Sequence, residues 1–505
     1  MRSAIALAVV VSLWVTPGHA EPVGDFAEHG DVGEVATPGS ATLAEGSYRL
    51  TASGANIWGS ADAFQFVWTQ RSGDLHIAAD IAFESAGGDP HRKAGLMIRQ
   101  NLTPGAPYAD VMVHGDGMVA LQYREAQDGP TRQIVSAVDH PARVRLEREG
   151  DFVYFSVAND DGELRHAGGS FRIAFQAPYL VGLALSAHDN AAVAAARFAK
   201  VELTVPQLDH VPDTGYAARV EATLEVLTIS NRDRRVVRHF DSKIEAPNWS
   251  RDGKSLVYNS GGRIWRIPIE GGEPGPIDTG RFVDNNNDHG LSPDGRQLAI
   301  SDQIEPDNLS RIHVVTLDGS APVRTVVDDQ QARSYWHGWS PDGTTLAYVR
   351  VGLNDGSYDI WTKDLADGAP RPLVVGPGVD DGPEYSPDGQ HLYFNSTRSG
   401  AMALWRAKAD GSEPVQLTHD PARRDWFPHL SPDGKQIVYV SFGDDVAIED
   451  HPPNREDVQL RIVPADGSAP PQILTRLFGG QGTINVPSWS PDGRYVAFVS
   501  YRLKQ

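Results

Sequence analysis

Six variants of one turn sequence, Ser-Pro-Asp-Gly, recur in the second half of the chain. At spacings of 42, 48, 46, 45 and 59 residues, they begin at Ser250, Ser292, Ser340, Ser386, Ser431 and Ser490. Each turn is followed by a run rich in β-branched and aromatic residues, such as SLVYNS after the first and TLAYVR after the third. Two further runs and a glycine-containing turn complete each unit, which therefore comprises four short strands. A four-strand unit that repeats at about 45 residues is typical of a β-propeller blade.

The last copy of the repeat leaves too little chain for a complete blade. Only two strands fit between it and Gln505, whereas residues 223–240 read as a strand, a polar turn and a strand ahead of the first copy. Pairing of the two chain ends would complete one blade and remove the open sheet edges. We therefore expect a six-bladed propeller over residues 218–505, closed by pairing of the chain ends.

The first 205 residues follow a different pattern. Residues 1–20 contain one arginine, an apolar run and a small-residue end, which predicts a secretory signal peptide cleaved after Ala20. Residues 21–205 contain many alternating or β-rich segments, for example LHIAADIAF and DFVYFSVA, and predict a β-sandwich of jelly-roll type. A proline-containing linker, residues 206–217, separates the two domains. The whole chain is thus predicted to be all-β.

Composition narrows the classes of function. The chain has no cysteine, which excludes disulfides and thiol chemistry, and its formal net charge of −21 argues against a nucleic-acid partner. No segment after the signal peptide approaches the roughly 20 apolar residues of a membrane span. We expect an exported protein, periplasmic or secreted, with no membrane span.

The repeat resembles a known family. The form PxWSPDGxxLAF, followed by an IWxxxxDG run and QLT, is similar to the TolB-type (PD40, WD40-like) propeller repeat over about 290 residues. Similar repeats occur in Tol-system proteins, in prolyl-oligopeptidase-type peptidases and in oligogalacturonate-lyase-type enzymes. The peptidases need a Gly-x-Ser-x-Gly nucleophile elbow, which this sequence lacks. The N-terminal domain resembles concanavalin-like (laminin-G-like) jelly rolls, a fold that often binds glycans.

The loops that precede the innermost strands carry the candidate chemistry. They lie at the propeller mouth, on the face opposite the Ser-Pro-Asp-Gly turns, because successive turns of an up-and-down sheet alternate ends. His289, His337 and His429 come from three blades and together predict a divalent metal site for Mn, Zn or Ca, with Asp288 or Glu384 completing the shell. The resemblance to the lyases, which hold a metal with histidines on such a face, points the same way. Alternatively, each histidine only hydrogen-bonds a neighbouring loop.

Carboxylates and aromatic rings accompany the histidines. Asp381, Glu384 and Asp425 are candidate catalytic residues, since glycoside cleavage needs an acid and a base about 5–10 Å apart. The alternative is that they are solvated loop acids or turn caps. For substrate binding, arginine can clamp a uronate carboxylate and indoles can stack on sugars, although such aromatics also plug propeller cores. The candidates for substrate binding are Trp336, Asn395, Arg398, Trp426 and Asn485. The insertion at 442–458 predicts a lid, a cation site or an acidic surface loop.

Two functions fit these patterns. The first is an exported carbohydrate-active protein that cleaves an oligosaccharide or polysaccharide at the propeller mouth, by hydrolysis or by elimination, with a metal as a possible aid. The alternative is a non-catalytic, TolB-like periplasmic propeller that binds protein partners or glycans. A deep pocket around the three histidines favours an enzyme, and a flat apolar mouth favours a binding module.

Overall fold

The computed structural model describes residues 22–158, 162–206, 219–304, 307–366 and 368–504. The predicted signal peptide lies outside these ranges, as does the predicted linker apart from Pro206. Within them the chain is all-β, as predicted, with 38 strands and one short 3-10 helix. No helix in the described ranges combines the length and the apolarity that a membrane crossing requires.

Residues 22–206 form fifteen strands in two antiparallel sheets. In chain order they are β1 (Glu28–Val32), β2 (Ser40–Ala44), β3 (Ser47–Ala52), β4 (Phe64–Arg71), β5 (Leu75–Phe83), β6 (Lys93–Arg99), β7 (Tyr108–His114), β8 (Val119–Arg124), β9 (Arg132–Val135), β10 (Arg143–Glu149), β11 (Phe152–Ala158), β12 (Arg165–His166), β13 (Phe171–Arg172), β14 (Tyr179–Ser186) and β15 (Ala194–Thr204). One sheet has the order β1-β4-β14-β6-β7-β8-β9. The other has the order β12-β11-β10-β5-β15-β3-β2, with β13 also paired to β11.

The two sheets share one hydrophobic core. Alternate residues of β6, namely Ala94, Leu96 and Ile98, belong to the same buried cluster as Leu146 on β10 and Phe155 on β11. Period-two alternation places such residues on one face of each strand, so that the two inner faces pack together. The two-layer arrangement is thus built from the alternating segments of the sequence.

The propeller half contains the other strands. They are β16 (Val220–Thr228), β17 (Arg234–Phe240), β18 (Glu245–Trp249), β19 (Ser255–Ser260), β20 (Arg263–Pro268), β21 (Gly275–Pro276), β22 (Asn285–Leu291), β23 (Gln297–Ile304), β24 (Leu309–Thr316), β25 (Arg324–Val327), β26 (Ala332–Trp339), β27 (Thr345–Gly352), β28 (Tyr358–Asp364), β29 (Arg371–Val374), β30 (Asp380–Tyr385), β31 (His391–Ser396), β32 (Ala403–Lys408), β33 (Val415–Gln416), β34 (Arg423–Leu430), β35 (Gln436–Gly443), β36 (Arg455–Pro464), β37 (Gln472–Gly479) and β38 (Tyr495–Leu503), with the 3-10 helix at Gln481–Thr483. From β18 to β37, four consecutive strands at a time form five antiparallel sheets.

The described residues form five complete blades, so the prediction of six is wrong. The described residues form five four-stranded sheets, while the chain-end strands β38, β16 and β17 belong to a larger sheet of ten strands. The fourth strand expected there is reduced to one bridge between Trp489 and Val496. Its segment follows directly after the 3-10 helix at Gln481–Thr483, and a full innermost strand does not form there.

The chain ends nevertheless occupy the remaining place in the ring. Strand β16 pairs with β38 over nine residue pairs, from Val220 with Leu503 to Thr228 with Tyr495. The first Ser-Pro-Asp-Gly turn then lies against the last, since a Cβ placed on Gly253 would be 3.9 Å from Pro491. In all six turns the serine hydroxyl donates to the aspartate at 2.6–2.7 Å. The six turn glycines have φ between +69° and +71°, which favours glycine.

A continuous sheet joins the two halves of the molecule. Strand β17 pairs in parallel with β9, so the chain-end strands extend one sheet of the N-terminal domain. A buried ion pair lies beside this junction, with Arg234 donating to Glu225 at 2.6 and 2.8 Å. Arg234 also donates to the Ser170 carbonyl at 2.9 Å, and Ser500 donates to Glu225 at 2.6 Å. One charged pair therefore connects the N-terminal domain to both chain ends of the propeller.

The change Arg234→Met should lower the free energy of unfolding by about 3–5 kcal/mol, because it leaves the Glu225 carboxylate buried without a counter-charge. Urea unfolding followed by far-UV circular dichroism measures this loss. The double change with Glu225→Leu should recover much of it. As a control, Arg238→Met removes an arginine paired with Glu273, an exposed residue, and should cost no more than about 1 kcal/mol. Equal losses of unfolding free energy in Arg234→Met and Arg238→Met would contradict the conclusion that Arg234 neutralises a buried carboxylate.

Candidate functional site

A polar cavity of about 510 Å³ opens at the propeller mouth. It lies where the innermost strands begin, at the end of the blades opposite the Ser-Pro-Asp-Gly turns. Asn285, Asn286, Tyr335 and Phe427 line it, together with residues of the β19–β20 turn. The loops that the sequence placed at the mouth therefore enclose one cavity.

Three ionisable residues from three successive blades meet at this cavity. His337 on β26 lies between two aspartates, with its Nε2 3.1 Å from Asp381 Oδ1 on β30 and 3.7 Å from Asp288 Oδ1 on β22. The two carboxylate oxygens are therefore at most 6.8 Å apart. All three side chains are at least nine-tenths buried. We call these three residues the axial cluster.

The surroundings move the pKa values of the two aspartates in opposite directions. Burial raises the pKa of Asp288 to about 6, with Asp381 adding to the rise and His337 opposing it. For Asp381, burial also acts upward, but the adjacent His337 outweighs it and the pKa is lowered. Burial would lower the pKa of His337, yet Asp381 and Asp288 together raise it. The cluster thus holds one carboxyl that takes up a proton readily and one that stays ionised, a combination suited to acid–base chemistry.

Neighbouring groups fix the two carboxylates in place. Asn485 donates to Asp288 Oδ1 at 2.6 Å, and Asn286 donates to Oδ2 at 2.7 Å. The backbone N–H of Gly382 donates to Asp381 Oδ1 at 2.6 Å. Asn485, which the sequence predicted to bind substrate, therefore positions an acid of the axial cluster.

Irregular strand pairing aims these side chains inward. At the level of the cavity, the innermost strands of all five four-stranded sheets shift register, between Glu245 and Asn248, Asn285 and His289, Trp336 and Gly338, Asp381 and Glu384, and Trp426 and His429. Gly382 and Phe427 lie within these shifts and have φ of +61° and +57°. A β-bulge re-aims the side chains beside it and is common next to functional sites.

The long insertion adds a histidine that the sequence did not place at the site. His451 lines the cavity, and its ring stacks on Trp426 at 4.3 Å between centroids with an interplanar angle of 12°. Its Nδ1 is buried and has no hydrogen-bond partner among the described residues. Burial lowers the pKa of His451 despite the nearby Asp381. Its position inside an acidic segment gave no signal of this role.

The three predicted metal histidines do not come together. His337 alone lines the cavity, whereas His289 is fully buried elsewhere, where burial lowers its pKa to about 4. Both ring nitrogens of His429 face oxygen acceptors, with Nδ1 2.9 Å from Glu384 and Nε2 3.0 Å from the Ile484 carbonyl. Neither nitrogen of His429 is available to a metal. Elsewhere in the described ranges, potential ligand atoms converge in two other groups, His76 with Glu147 and Glu149, and Glu221 with His239 and Asp241.

The other two predicted catalytic carboxylates have structural partners. Glu384 accepts from the backbone N–H of Leu430 at 2.9 Å as well as facing His429, and so ties two blades together. Asp425 accepts from the Ser441 hydroxyl at 2.6 Å within its own blade, and burial raises its pKa. Of the three predicted carboxylates, only Asp381 lines the mouth cavity.

The remaining predicted binding residues support the walls of the mouth. Trp336 and Trp426 are among the largest fully buried side chains of the described ranges and pack in the core, as the alternative interpretation expected. Asn395 accepts from the backbone N–H of Phe427 at 3.0 Å. Arg398 donates to Asp380 at 2.8 Å and stacks over Phe394.

Comparison with known proteins identifies the propeller. A family model described as the TolB beta propeller domain (PD40) matches residues 289–452. The uncharacterized protein Atu1656 of Agrobacterium fabrum is 44% identical over 290 residues, which are 57% of this chain and 95% of that protein. A solved TolB structure from Agrobacterium tumefaciens is 43% identical with a TM-score of 0.52, and the match covers 56% of this chain and 99% of that one.

More distant relatives include Tol proteins. The Tol-Pal system protein TolB of Francisella tularensis is 26% identical over 265 residues, which are 51% of this chain and 56% of that protein. The chain therefore spans about half the length of this relative. Because the chain covers nearly all of the Agrobacterium fabrum protein at high identity and matches the PD40 model, it belongs to the TolB-like β-propeller family.

Proposed function

We propose that the mouth cavity binds an oligosaccharide and that the axial cluster hydrolyses a glycosidic bond in it. The observation that carries this proposal is the pair of buried aspartates, Asp288 and Asp381, with pKa values moved in opposite directions. Glycoside hydrolysis uses one protonated and one ionised carboxyl group, at separations of about 5–10 Å. The two oxygens are at most 6.8 Å apart, which reaches the lower end of the roughly 6.5–9.5 Å that a water-activating pair requires.

Each member of the cluster has a separate task. Asp288, protonated below pH of about 6, donates a proton to the leaving glycosidic oxygen. Asp381, ionised, takes the proton of the attacking water. His337 holds Asp381 in the ionised form through the 3.1 Å contact. The asparagines of the wall supply amide donors and acceptors for sugar hydroxyls, and the half-buried Tyr335 replaces the buried indoles as the ring available to a sugar.

Binding of a protein partner at the same mouth is a second candidate. It is favoured by the similarity to the Tol-Pal system protein TolB, whose name places it in a multi-protein system. In that case the axial cluster would hold the blades together rather than act on a substrate. Replacement of Asp288 or Asp381 would then change stability or partner binding, with no loss of a hydrolytic rate.

The remaining assignments complete the proposal. Residues 1–20 are a signal peptide, residues 21–205 are a concanavalin-like jelly roll, residues 206–217 are a linker and residues 218–505 are the propeller. The protein then acts in the periplasm or outside the cell. The two N-terminal sheets share one hydrophobic core, and this supports the jelly-roll assignment of residues 21–205.

Replacement of either aspartate should abolish hydrolysis while leaving the fold intact. With an oligosaccharide found by screening neutral and acidic sugars, Asp288→Asn and Asp381→Asn should each lower kcat/KM by about 10²–10⁴-fold. Asp444→Asn removes an exposed carboxylate from the insertion and serves as the matched control. Full activity in both cluster variants would contradict the proposal, as would a failure of every sugar to be cleaved or bound.

The pH dependence of hydrolysis should report Asp288. Because this residue must carry a proton to act as the acid, kcat/KM should fall about tenfold per pH unit above its pKa of about 6. Asp381, with its lowered pKa, stays ionised throughout this range. A rate profile that is flat from pH 5 to 8 would exclude Asp288 as the acid.

A further inference from the structure

A second polar cavity, of about 670 Å³, lies between the N-terminal domain and the chain-end strands of the propeller. His166 of β12 reaches it from one side, and Glu221 of β16, His239 of β17 and Asp241 reach it from the other. We propose that Glu221, His239 and Asp241 bind one zinc ion at this seam, with His166 of the N-terminal domain beside them to complete its shell. This site is separate from the propeller mouth and does not depend on the function proposed for the mouth.

The spacing of three of the ligand atoms fits a metal better than a hydrogen bond. Nε2 of His239 lies 3.7 Å from Glu221 Oε2 and 3.9 Å from Asp241 Oδ1. All three atoms lie within 4.8 Å of one another. These separations exceed hydrogen-bond length, whereas ligand atoms around a tetrahedral zinc are about 3.4 Å apart.

The hydrogen bonds behind His239 turn its free nitrogen toward the carboxylates. Thr223 Oγ1 donates to the Gly168 carbonyl at 3.3 Å and lies 3.4 Å from His239 Nδ1. Because the hydroxyl proton is used on Gly168, Nδ1 is the donor to Thr223 and Nε2 carries the lone pair. A lone pair that faces two carboxylates is repelled unless a proton or a metal cation stands between them. Zinc-bound histidines are oriented in the same way, by a partner on the other ring nitrogen.

His166 of the N-terminal domain lies beside the three ligands and would become the fourth by moving toward them, since it is not among the residues whose ligand atoms lie within 4.8 Å of one another. Its ring centre lies 5.0 Å from that of His239, with the two planes at 79°. Two imidazoles on one tetrahedral zinc have ring centres about 5 Å apart. The Nδ1 atom of His166 is buried and has no hydrogen-bond partner among the described residues. Two imidazoles and two carboxylates form a ligand set that zinc accepts.

The charge balance of the cavity leaves room for a cation. Arg502 lines the same cavity, but it donates to Glu147 at 2.7 Å and to Glu149 at 2.5 Å on the N-terminal domain. Its charge is therefore balanced by those two residues. Arg145 and Arg165 also line the cavity and pair with Glu147 and Glu163. Lys504 acts on both Glu221 and His239, so Zn²⁺ would compete with its charge for the carboxylates of Glu221 and Asp241.

Zinc titration of the full-length protein tests the proposal. After treatment with a chelator, the protein should take up one equivalent of Zn²⁺ in calorimetry and elemental analysis, and the melting temperature should rise. Co²⁺ in the same site should give the visible absorption of a tetrahedral complex. His166→Gln and His239→Gln should each weaken Zn²⁺ binding at least about tenfold. His140→Gln, at an exposed histidine, is the matched control and should change nothing.

The Thr223→Val variant separates metal binding from a purely structural role. It preserves the shape of the side chain but removes the hydroxyl that orients His239, so Zn²⁺ affinity should fall about 10–100-fold with the stoichiometry still one. If a histidine variant fails to fold, Asp241→Asn, a change at an exposed ligand, takes its place as the test of Zn²⁺ binding. Absence of Zn²⁺ uptake by the parent protein would overturn the proposal, and so would unchanged uptake in folded His239→Gln or Asp241→Asn.

Discussion

Pairing of β16 with β38 is the interaction on which the rest of the structure depends. It brings the first and last repeats together, and only a closed ring lets the innermost strands converge on an axis. The axial cluster draws one residue from each of three neighbouring blades, and Asn485 reaches Asp288 from the C-terminal segment. Strand β16 and its neighbour β17 carry the buried Arg234–Glu225 pair and two of the residues at the domain seam, Glu221 and His239. The axial cluster is thus a product of ring closure, whereas the seam site is built on the β16–β17 hairpin.

The propeller strands could be predicted because their signal is local. Each Ser-Pro-Asp-Gly turn is held by hydrogen bonds between residues two to five positions apart, so the serine, aspartate and glycine recur with every unit. The last blade could not be predicted in detail. Closure of the ring by the chain ends was predicted from the two missing strands, and β16 does pair with β38. The parallel pairing of β17 with β9 of the other domain, in which Arg234 lies opposite Ile134, leaves no periodic trace in the sequence. The reduction of the fourth strand to one bridge left no signal either, because Pro247, Pro383 and Pro428 occupy the same place as Pro487 in strands that are complete.

The candidate site could likewise be predicted only in part from the sequence. His337 and Asp381 were predicted for the mouth and Asp288 as one of two carboxylates that could complete a metal shell, and all three line the cavity, whereas His289 does not. Successive strand residues point to opposite faces, so Asp288 and its neighbour His289 could not both face the cavity. Because the register shifts near the cavity are not encoded by any turn motif, the sequence could not tell which of two adjacent residues faces the axis. His429 is unavailable to a metal for another reason, because Glu384 and a backbone carbonyl contact its two ring nitrogens.

The shared ten-stranded sheet also constrains how the chain reaches its native state. The pair Glu225–Ser500 joins residues 275 positions apart, and the Ser170 carbonyl meets the same buried arginine. Contacts of such long range are slow to form, because the entropy of closing a large loop is lost before the contact stabilises it. The sheet cannot be completed until the last strand, β38, is available, so the edge of β16 stays unpaired up to that point. A growing or partly unfolded chain would therefore expose this edge to aggregation, and the rate of the final docking step would set how long the risk lasts.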